Sequence, residues 1–292
     1  MAREDRRLPE NVPGDFFVDS SCIDCDACRQ IAPRIFRDHG GRSSVHRQPD
    51  TPDAVRRALM ALVACPTGSI GAPRAYDRKI GTSAFPELVS ENVYFCGFTS
   101  ESSFGAWSYL IRRPAGQGGN VLVDSPRFAA PLVREIERLG GVATLFLTHR
   151  DDVADHARFA ERFGCRRYLR ADDGGARHGV EEAWNGDDPL RIDEDLVAIP
   201  TPGHTRGHAV LLYRGKYLFT GDHLAWSPRR KALNAFRDAC WYSWTEQVAS
   251  MKRLRGYPFS WVLPGHGRIH HAEPEAMRAS LEECIAWMEK AQ

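Results

Sequence analysis

Two groups of residues in this 292-residue chain have the types and spacing of metal ligands. The first is Cys22-Ile23-Asp24-Cys25-Asp26-Ala27-Cys28, closed far along the chain by Cys65-Pro66. Three thiolates in two successive turns, with a distant fourth ahead of a proline, form the pattern that holds a cubane iron–sulfur cluster. A four-cysteine zinc site more often pairs two separated Cys-x-x-Cys knuckles. The second group is spread over four segments: Thr148-His149-Arg150-Asp151-Asp152-Val153-Ala154-Asp155-His156, Thr201-Pro202-Gly203-His204 with His208 beyond it, Thr220-Gly221-Asp222-His223, and Pro264-Gly265-His266-Gly267. Imidazoles and carboxylates brought together suit a borderline or hard divalent metal.

The elements that must aim these side chains can be read from periodicity. Val93 to Phe98, Tyr109 to Arg112, Val121 to Asp124 and Val142 to Thr148 read as strands, and the last of these delivers His149. Val210 to Tyr213 and Tyr217 to Thr220 flank Arg214-Gly215-Lys216 as a hairpin. Pro131 to Leu139, stopped by Gly140-Gly141, and Asp152 to Phe163, stopped by Gly164, read as helices. With Val153 as the first helical residue, Asp152 would be the N-cap and Asp155 would complete an approximate capping box. Earlier, Thr51-Pro52-Asp53 opens an amphipathic helix that carries Val55, Leu59, Leu62 and Val63 inward and ends before Cys65. A last helix opened by Pro274 turns Met277, Leu281, Cys284, Ile285 and Met288 to one side.

Composition narrows the class. With 42% hydrophobic and 26% charged residues the chain is globular, not disordered. A net charge of +1 argues against a protein built to wrap nucleic acid. No apolar run approaches the roughly 20 residues of a membrane span. The first ten residues are charged and carry no apolar leader, so a cytoplasmic protein with reduced cysteines is expected. Cys96, Cys165, Cys240 and Cys284 then read as core residues, and His39, His46, His178, His270 and His271 as surface or loop residues.

The cysteine group closely resembles a bacterial-type ferredoxin over about residues 12 to 72. Where two-cluster ferredoxins place a further cysteine before proline, this chain has Ala32-Pro33, so one [4Fe–4S] cluster is expected on Cys22, Cys25, Cys28 and Cys65. The four histidine and aspartate segments together resemble the metallo-β-lactamase superfamily, with wording nearest to glyoxalase II-like hydrolases, over roughly residues 87 to 270. The fold implied is α/β: an αββα metallo-β-lactamase sandwich preceded by a small α+β ferredoxin-like domain. Its limits would be 1–72 for the cluster domain, 73–86 for a linker and 87–292 for the sandwich.

Carried over by position, the resemblance implies two divalent metals, zinc or iron. His149, Asp151 and His204 would hold one, Asp155, His156 and His266 the other, and Asp222 would bridge them. Asp151 stands where the family has a second histidine, and two extra residues precede Asp155-His156, so the assignment among Asp151, Asp152 and Asp155 stays open. Asp155, Asp222 and His223 are the catalytic candidates, His223 as a residue that orients Asp222, lines the pocket or serves structure alone; His208 is a neighbour of the site. The implied activity is hydrolysis of an ester, thioester or similar bond by metal-activated water, on a small molecule that could be anionic. Arg229-Arg230-Lys231 would meet such a charge or form a solvated turn, and Trp226, Trp241, Tyr242 and Trp244 would wall the pocket or pack the segment. The alternative is a di-iron or mono-iron redox enzyme acting on oxygen, NO or sulfur compounds, fed by the cluster and an electron-transfer partner. A second alternative is a redox-sensing or binding protein.

Overall fold

Residues 2–291 are described by a computed structural model, so the outer limits of the expected domains, residues 1 and 292, lie outside the described residues. The strands Leu196–Pro200, Ala209–Tyr213 and Tyr217–Gly221 are buried along nearly their whole length, as strands covered on both faces must be. Their side chains alternate between two cores. Leu196, Ala198, Leu211, Tyr213 and Phe219 face one, and Ile199, Val210, Leu212 and Leu218 face the other.

These strands belong to a six-stranded sheet in the order Leu190–Arg191, Leu196–Pro200, Ala209–Tyr213, Tyr217–Gly221, Trp261–Pro264, His270–His271. A seven-stranded sheet runs Glu182–Trp184, Arg166–Arg170, Thr144–Phe146, Val121–Val123, Tyr109–Ile111, Val93–Phe95, Glu87–Ser90. The first four of these strands are parallel, and the helices Ala130–Arg138 and His156–Phe163 lie in the crossovers that join them. The sheets meet face to face. Tyr109 and Phe219 rings lie 5.4 Å apart, and the Tyr109 hydroxyl donates to the Pro264 carbonyl at 2.7 Å. The helices Trp244–Arg253 and Pro274–Lys290 cover the outer face of the six-stranded sheet with Val248, Met251, Met277, Leu281 and Ile285. The layering is αββα.

The N-terminal part is a small α+β unit. Phe17–Val18 pairs with Ile70–Gly71 and Phe36–Asp38 with Ser43–Val45, around the helices Ala27–Ile31 and Pro52–Ala64. The Thr51 hydroxyl caps the longer helix by accepting the Ala54 N–H at 3.2 Å.

Residues 73–86, the expected linker, are folded and packed. They contain the short helix Lys79–Thr82, where Gly81 packs so closely that a Cβ would lie 2.5 Å from the Leu59 carbonyl oxygen. One apolar core continues from Leu59 and Ile70 through Phe85 and Phe95 to Leu145. The helix expected from Asp152 instead starts at His156, because Arg150–Asp152 forms a separate 3₁₀ turn and Asp155 takes the N-cap position. The Arg214-Gly215 hairpin is as expected, with φ of +53° and +57° at the two turn residues.

No helix among the described residues is long and apolar enough to cross a membrane. Removing the one hydroxyl bond that ties Tyr109 to Pro264 should loosen the two sheets where they carry the functional turns. Tyr109→Phe is expected to lose about 1–3 kcal/mol of stability, read as a shifted urea midpoint at unchanged slope.

Candidate metal centre

Each turn of interest begins where a strand stops. His149 follows Thr144–Phe146, His204 follows Leu196–Pro200, Asp222 follows Tyr217–Gly221 and His266 follows Trp261–Pro264. All four therefore stand on one rim of the sandwich. Close approach of the turns relies on glycine. Gly221 has φ +46°, and a Cβ there would lie 2.4 Å from Thr148 Oγ1. At Gly265 a Cβ would come within 2.8 Å of both Asp152 Oδ2 and Asp222 Oδ1.

Asp222 is the hub. Its Oδ2 lies 3.7 Å from His149 Nε2, 3.7 Å from His204 Nε2 and 3.8 Å from His266 Nε2. Asp151 Oδ2 adds contacts of 3.9 Å to His149 Nε2 and 3.5 Å to His204 Nε2. Two donor sets share Asp222: His149 with His204, and Asp152 with His266, each set with ligand atoms within 4.8 Å of one another. Tetrahedral ligands about 2.0–2.2 Å from zinc stand about 3.4 Å apart, close to the separations seen.

The chemistry of the donors fits a cation. His149 Nε2, His204 Nε2, Asp152 Oδ2 and Asp222 Oδ1 are buried and have no hydrogen-bond partner. Leaving four such atoms unpaired is costly unless something positive meets them. The other side of the His149 ring is engaged, with Thr148 Oγ1 at 2.9 Å from Nδ1, which leaves Nε2 to face the hub. Thr148 is fixed in turn by buried Asp124, which accepts its N–H at 2.8 Å and its hydroxyl at 3.0 Å. Asp173 braces the same turn, accepting the Arg150 N–H, the Thr205 hydroxyl and the Gly207 N–H at 3.0, 2.6 and 2.7 Å.

Electrostatics agree. Burial, with Asp222 nearby, pushes Asp124 up to about 8. Burial, with Asp222, Asp124 and Asp151 adding like charge, holds Asp152 well above the ordinary carboxyl range. Burial presses His149 down to about 4 and His223 to about 3, and drives His208 well below its ordinary value. Asp151 is held low by the His204 imidazole beside it, with His149 and Arg150 adding to the effect. For Asp222 the penalty of burial is outweighed by His266, His149 and His204, which keep it ionised.

The structure brings together His149, Asp151, His204, Asp222 and His266. It does not bring Asp155 and His156 to them. Asp155 Oδ2 accepts the Phe128 N–H at 2.7 Å at the start of helix His156–Phe163. His156 turns to Arg167, 3.2 Å from its Nδ1, and to the His178 ring at 5.8 Å. The 3₁₀ turn reverses the expected roles: Asp152 points inward to the donors and Asp155 sits at the helix start. His223, next to Asp222 in the chain, is fully buried with its ring 5.3 Å from that of His208.

The surrounding aromatic and basic residues divide. Trp226 stacks on His270 at 4.0 Å, and Trp244 donates to the Met288 carbonyl at 3.2 Å, so both pack. Trp241 stands 62% exposed with its ring 6.2 Å from His204. Phe104, not anticipated from sequence, is 53% exposed and 6.1 Å from His266. Arg229-Arg230-Lys231 forms the turn between strands Ala225–Ser227 and Ala232–Asn234, with the Arg230 guanidinium 3.6 Å from the Trp287 ring centroid. Asp124 carried a legible signal, since it ends the apolar run Val121-Leu122-Val123 as the other rim residues end theirs; Asp173 carried none.

The cysteine loop is built separately. Asp24 and Asp26 have φ of +63° and +66°, alternating hands that turn backbone N–H groups inward as an anion nest does. Cys22, Cys25, Cys28 and Cys65 line one cavity, and none is in a disulfide. The Ser43 N–H donates to Cys22 Sγ at 3.5 Å and the Ser69 N–H to Cys65 Sγ at 3.3 Å. Burial pushes the Cys25 thiol up to about 12, so thiolates here need a positive partner.

A model of the metallo-beta-lactamase superfamily matches residues 103–266, and a model of the 4Fe-4S single cluster domain of ferredoxin I matches residues 18–72. A hydroxyacylglutathione hydrolase of Chelativorans sp. (strain BNC1) is 30% identical over 120 residues, which are 39% of this chain and 47% of that protein. One from Mesorhizobium japonicum is 33% identical over 120 residues, 39% of this chain and 46% of that protein. The chain thus spans about half the length of the curated relatives it matches. Among solved structures, the DIM-1 metallo-beta-lactamase superposes with a TM-score of 0.53 at 18% identity, covering 70% of this chain and 97% of that one.

Two outcomes are expected of this arrangement. Asp152→Asn should lower bound divalent metal by about one ion per chain in elemental analysis, whereas Asp155→Asn should leave it unchanged. The metal-free protein should be most stable near pH 6.5. Below that, histidines with depressed folded values (His149, His156, His208, His223) must take up protons on unfolding, so stability falls as pH falls. Above it, the raised Asp124 and Asp152 hold protons that the unfolded chain has released, so stability falls towards pH 8. Thermal midpoints at pH 5, 6.5 and 8 check both arms.

Proposed function

The chain belongs to the metallo-beta-lactamase superfamily, and from that premise we propose that it is a metal-dependent hydrolase of a small ester or thioester, carrying one [4Fe–4S] cluster on Cys22, Cys25, Cys28 and Cys65. The observation that carries the reading is the pair of donor sets sharing Asp222, with their orphaned Nε2 and carboxylate atoms. His149, Asp151 and His204 would hold one divalent metal and Asp152 and His266 a second, with Asp222 common to both. Such ions lower the pKa of coordinated water to about 7 and polarise a carbonyl oxygen.

The chain's own residues supply the rest. Thr148 and Asp124 fix the His149 ring so that Nε2 faces the hub. Gly265 leaves room for Asp152 and Asp222 to approach one another. Trp241 near His204 and Phe104 near His266 are exposed aromatic rings, which suits an apolar acyl group. An acyl-thiol substrate is supported by the curated relatives, whose name describes hydrolysis of a hydroxyacyl group from glutathione. The domain division at about residue 72, with the sandwich from about residue 87, is part of the same reading.

A second reading, redox chemistry at iron, draws on one observation. His149, His204 and Asp222 make up a two-histidine, one-carboxylate set of the kind non-haem iron uses. Elemental analysis with acid-labile sulfide separates the two, since iron in excess of sulfide would favour redox chemistry and two zincs hydrolysis.

Turnover of model thioesters should vanish on chelation and return with zinc. His204→Ala should lower kcat/KM by more than the 10–100-fold expected of a residue outside the ligand set. Trp241→Ala should raise KM about three- to tenfold with little change in kcat. Activity that survives chelation, or none on any ester or thioester, would sink the hydrolase reading.

A further inference from the structure

The cluster loop and the candidate metal centre are held against each other by one strap, residues 99–107. Gly105, with φ +83°, lies so close to Cys25 that a Cβ would be 2.6 Å from its Cβ and 2.8 Å from its Sγ, and 3.3 Å from Pro66 beside Cys65. The next residue back, Phe104, holds a non-glycine φ of +48° and places its ring 6.1 Å from His266. Further on, the Trp107 N–H donates at 2.8 Å to the carbonyl of Gly265, the glycine wedged between Asp152 and Asp222. The 3₁₀ turn Glu101–Ser103 packs against the turn Arg150–Asp152. Behind it, the Thr99 hydroxyl donates to the Ala64 carbonyl at 2.7 Å, one residue before Cys65.

A second tie is ionic. Asp26, the neighbour of Cys25, pairs with Arg268, two residues beyond His266, through both Nη atoms of the guanidinium, with Nη2 at 3.4 Å. Cys25 and His266 are thus joined both through Gly105 and Phe104 and through Asp26 and Arg268. A cluster remote from the chemistry would need neither link.

We propose that these contacts make the cluster a working partner of the metal centre: reduction of the cluster strengthens cation binding at Asp152, Asp222 and His266, and cation binding there makes the cluster easier to reduce. The inference rests on reading those donors as a metal site. The electron comes from an external low-potential one-electron donor and stays on the cluster, with no bond made or broken. Reduction adds one negative charge beside Cys25, and a divalent cation near His266 stabilises that charge. Linkage requires the two effects to be equal in free energy. A three- to tenfold gain in metal affinity on reduction corresponds to a rise of about 30–60 mV in cluster potential when the metal binds, at about 59 mV per tenfold for one electron.

The test is an anaerobic potentiometric titration of the cluster-loaded full-length chain, followed by electron paramagnetic resonance, with zinc bound and after chelation. Elemental analysis accompanies each sample. The zinc-bound protein is expected to show the higher potential, and Asp152→Asn and Arg268→Gln are each expected to shrink the difference. With cobalt replacing zinc, the signal of the reduced cluster should saturate at several-fold higher microwave power. Equal potentials and equal saturation, in protein shown to hold both cluster and zinc, overturn the coupling and leave the hydrolase reading standing. Protein that keeps its cluster but binds no zinc overturns both.

Discussion

The structure turns on one ionised carboxylate kept out of water. Asp222 is almost fully buried, yet three imidazoles hold it in its charged form. Two further carboxyls, Asp124 and Asp152, are buried in its neighbourhood and resist ionisation for that reason. Such a group of acids is a poor way to stabilise a protein, since Asp124 and Asp152 are buried beside a charge that opposes their own ionisation. It becomes favourable when a cation neutralises it. The sandwich is arranged around that demand: four strands end on one rim, glycines at 221 and 265 let their turns close, and Thr148 and Asp173 lock the backbone between them.

The same constraint explains why the cluster unit does not behave as a tethered appendage. The core that runs from Leu59 to Leu145 without a break fixes the cysteine loop relative to the rim. Segment 73–86, with Gly81 pressed on the Leu59 carbonyl, is part of that core. A shared core costs independence of movement and gains fixed distances, which is what two neighbouring charged centres need in order to sense one another.

Much of this was legible in the sequence, for physical reasons that differ by element. The buried strands and the final helix announced themselves through periodicity, and Met277, Leu281, Cys284, Ile285 and Met288 are buried as their spacing implies. Rim residues preceded by apolar runs were equally plain, because a strand's end is also where its apolar pattern stops. What failed was local: the register of Asp151, Asp152 and Asp155 after the strand. A helix starting three residues later than expected rotates each of those side chains onto a different face, and no periodicity exists in a three-residue turn. Phe104 was invisible for a related reason, since its position depends on a strained loop conformation and not on a repeating pattern.

The exchange of roles between Asp152 and Asp155 also bears on how the centre differs from the pattern it resembles. With His156 turned to Arg167, the second donor set has two carboxylates and one histidine, while the first has two histidines and two carboxylates. Oxygen-rich sets favour harder cations than nitrogen-rich ones. The two positions are therefore chemically unequal, and the harder one, at Asp152, Asp222 and His266, is the one that the strap and the Asp26–Arg268 pair bring towards Cys25. A site with fewer imidazoles binds its cation through charge more than through covalency, so its occupancy responds more strongly to charge placed nearby. The departure from the family's histidine pattern and the contact with the cluster loop then have one physical consequence: the more electrostatic position lies where an added electron would be felt most.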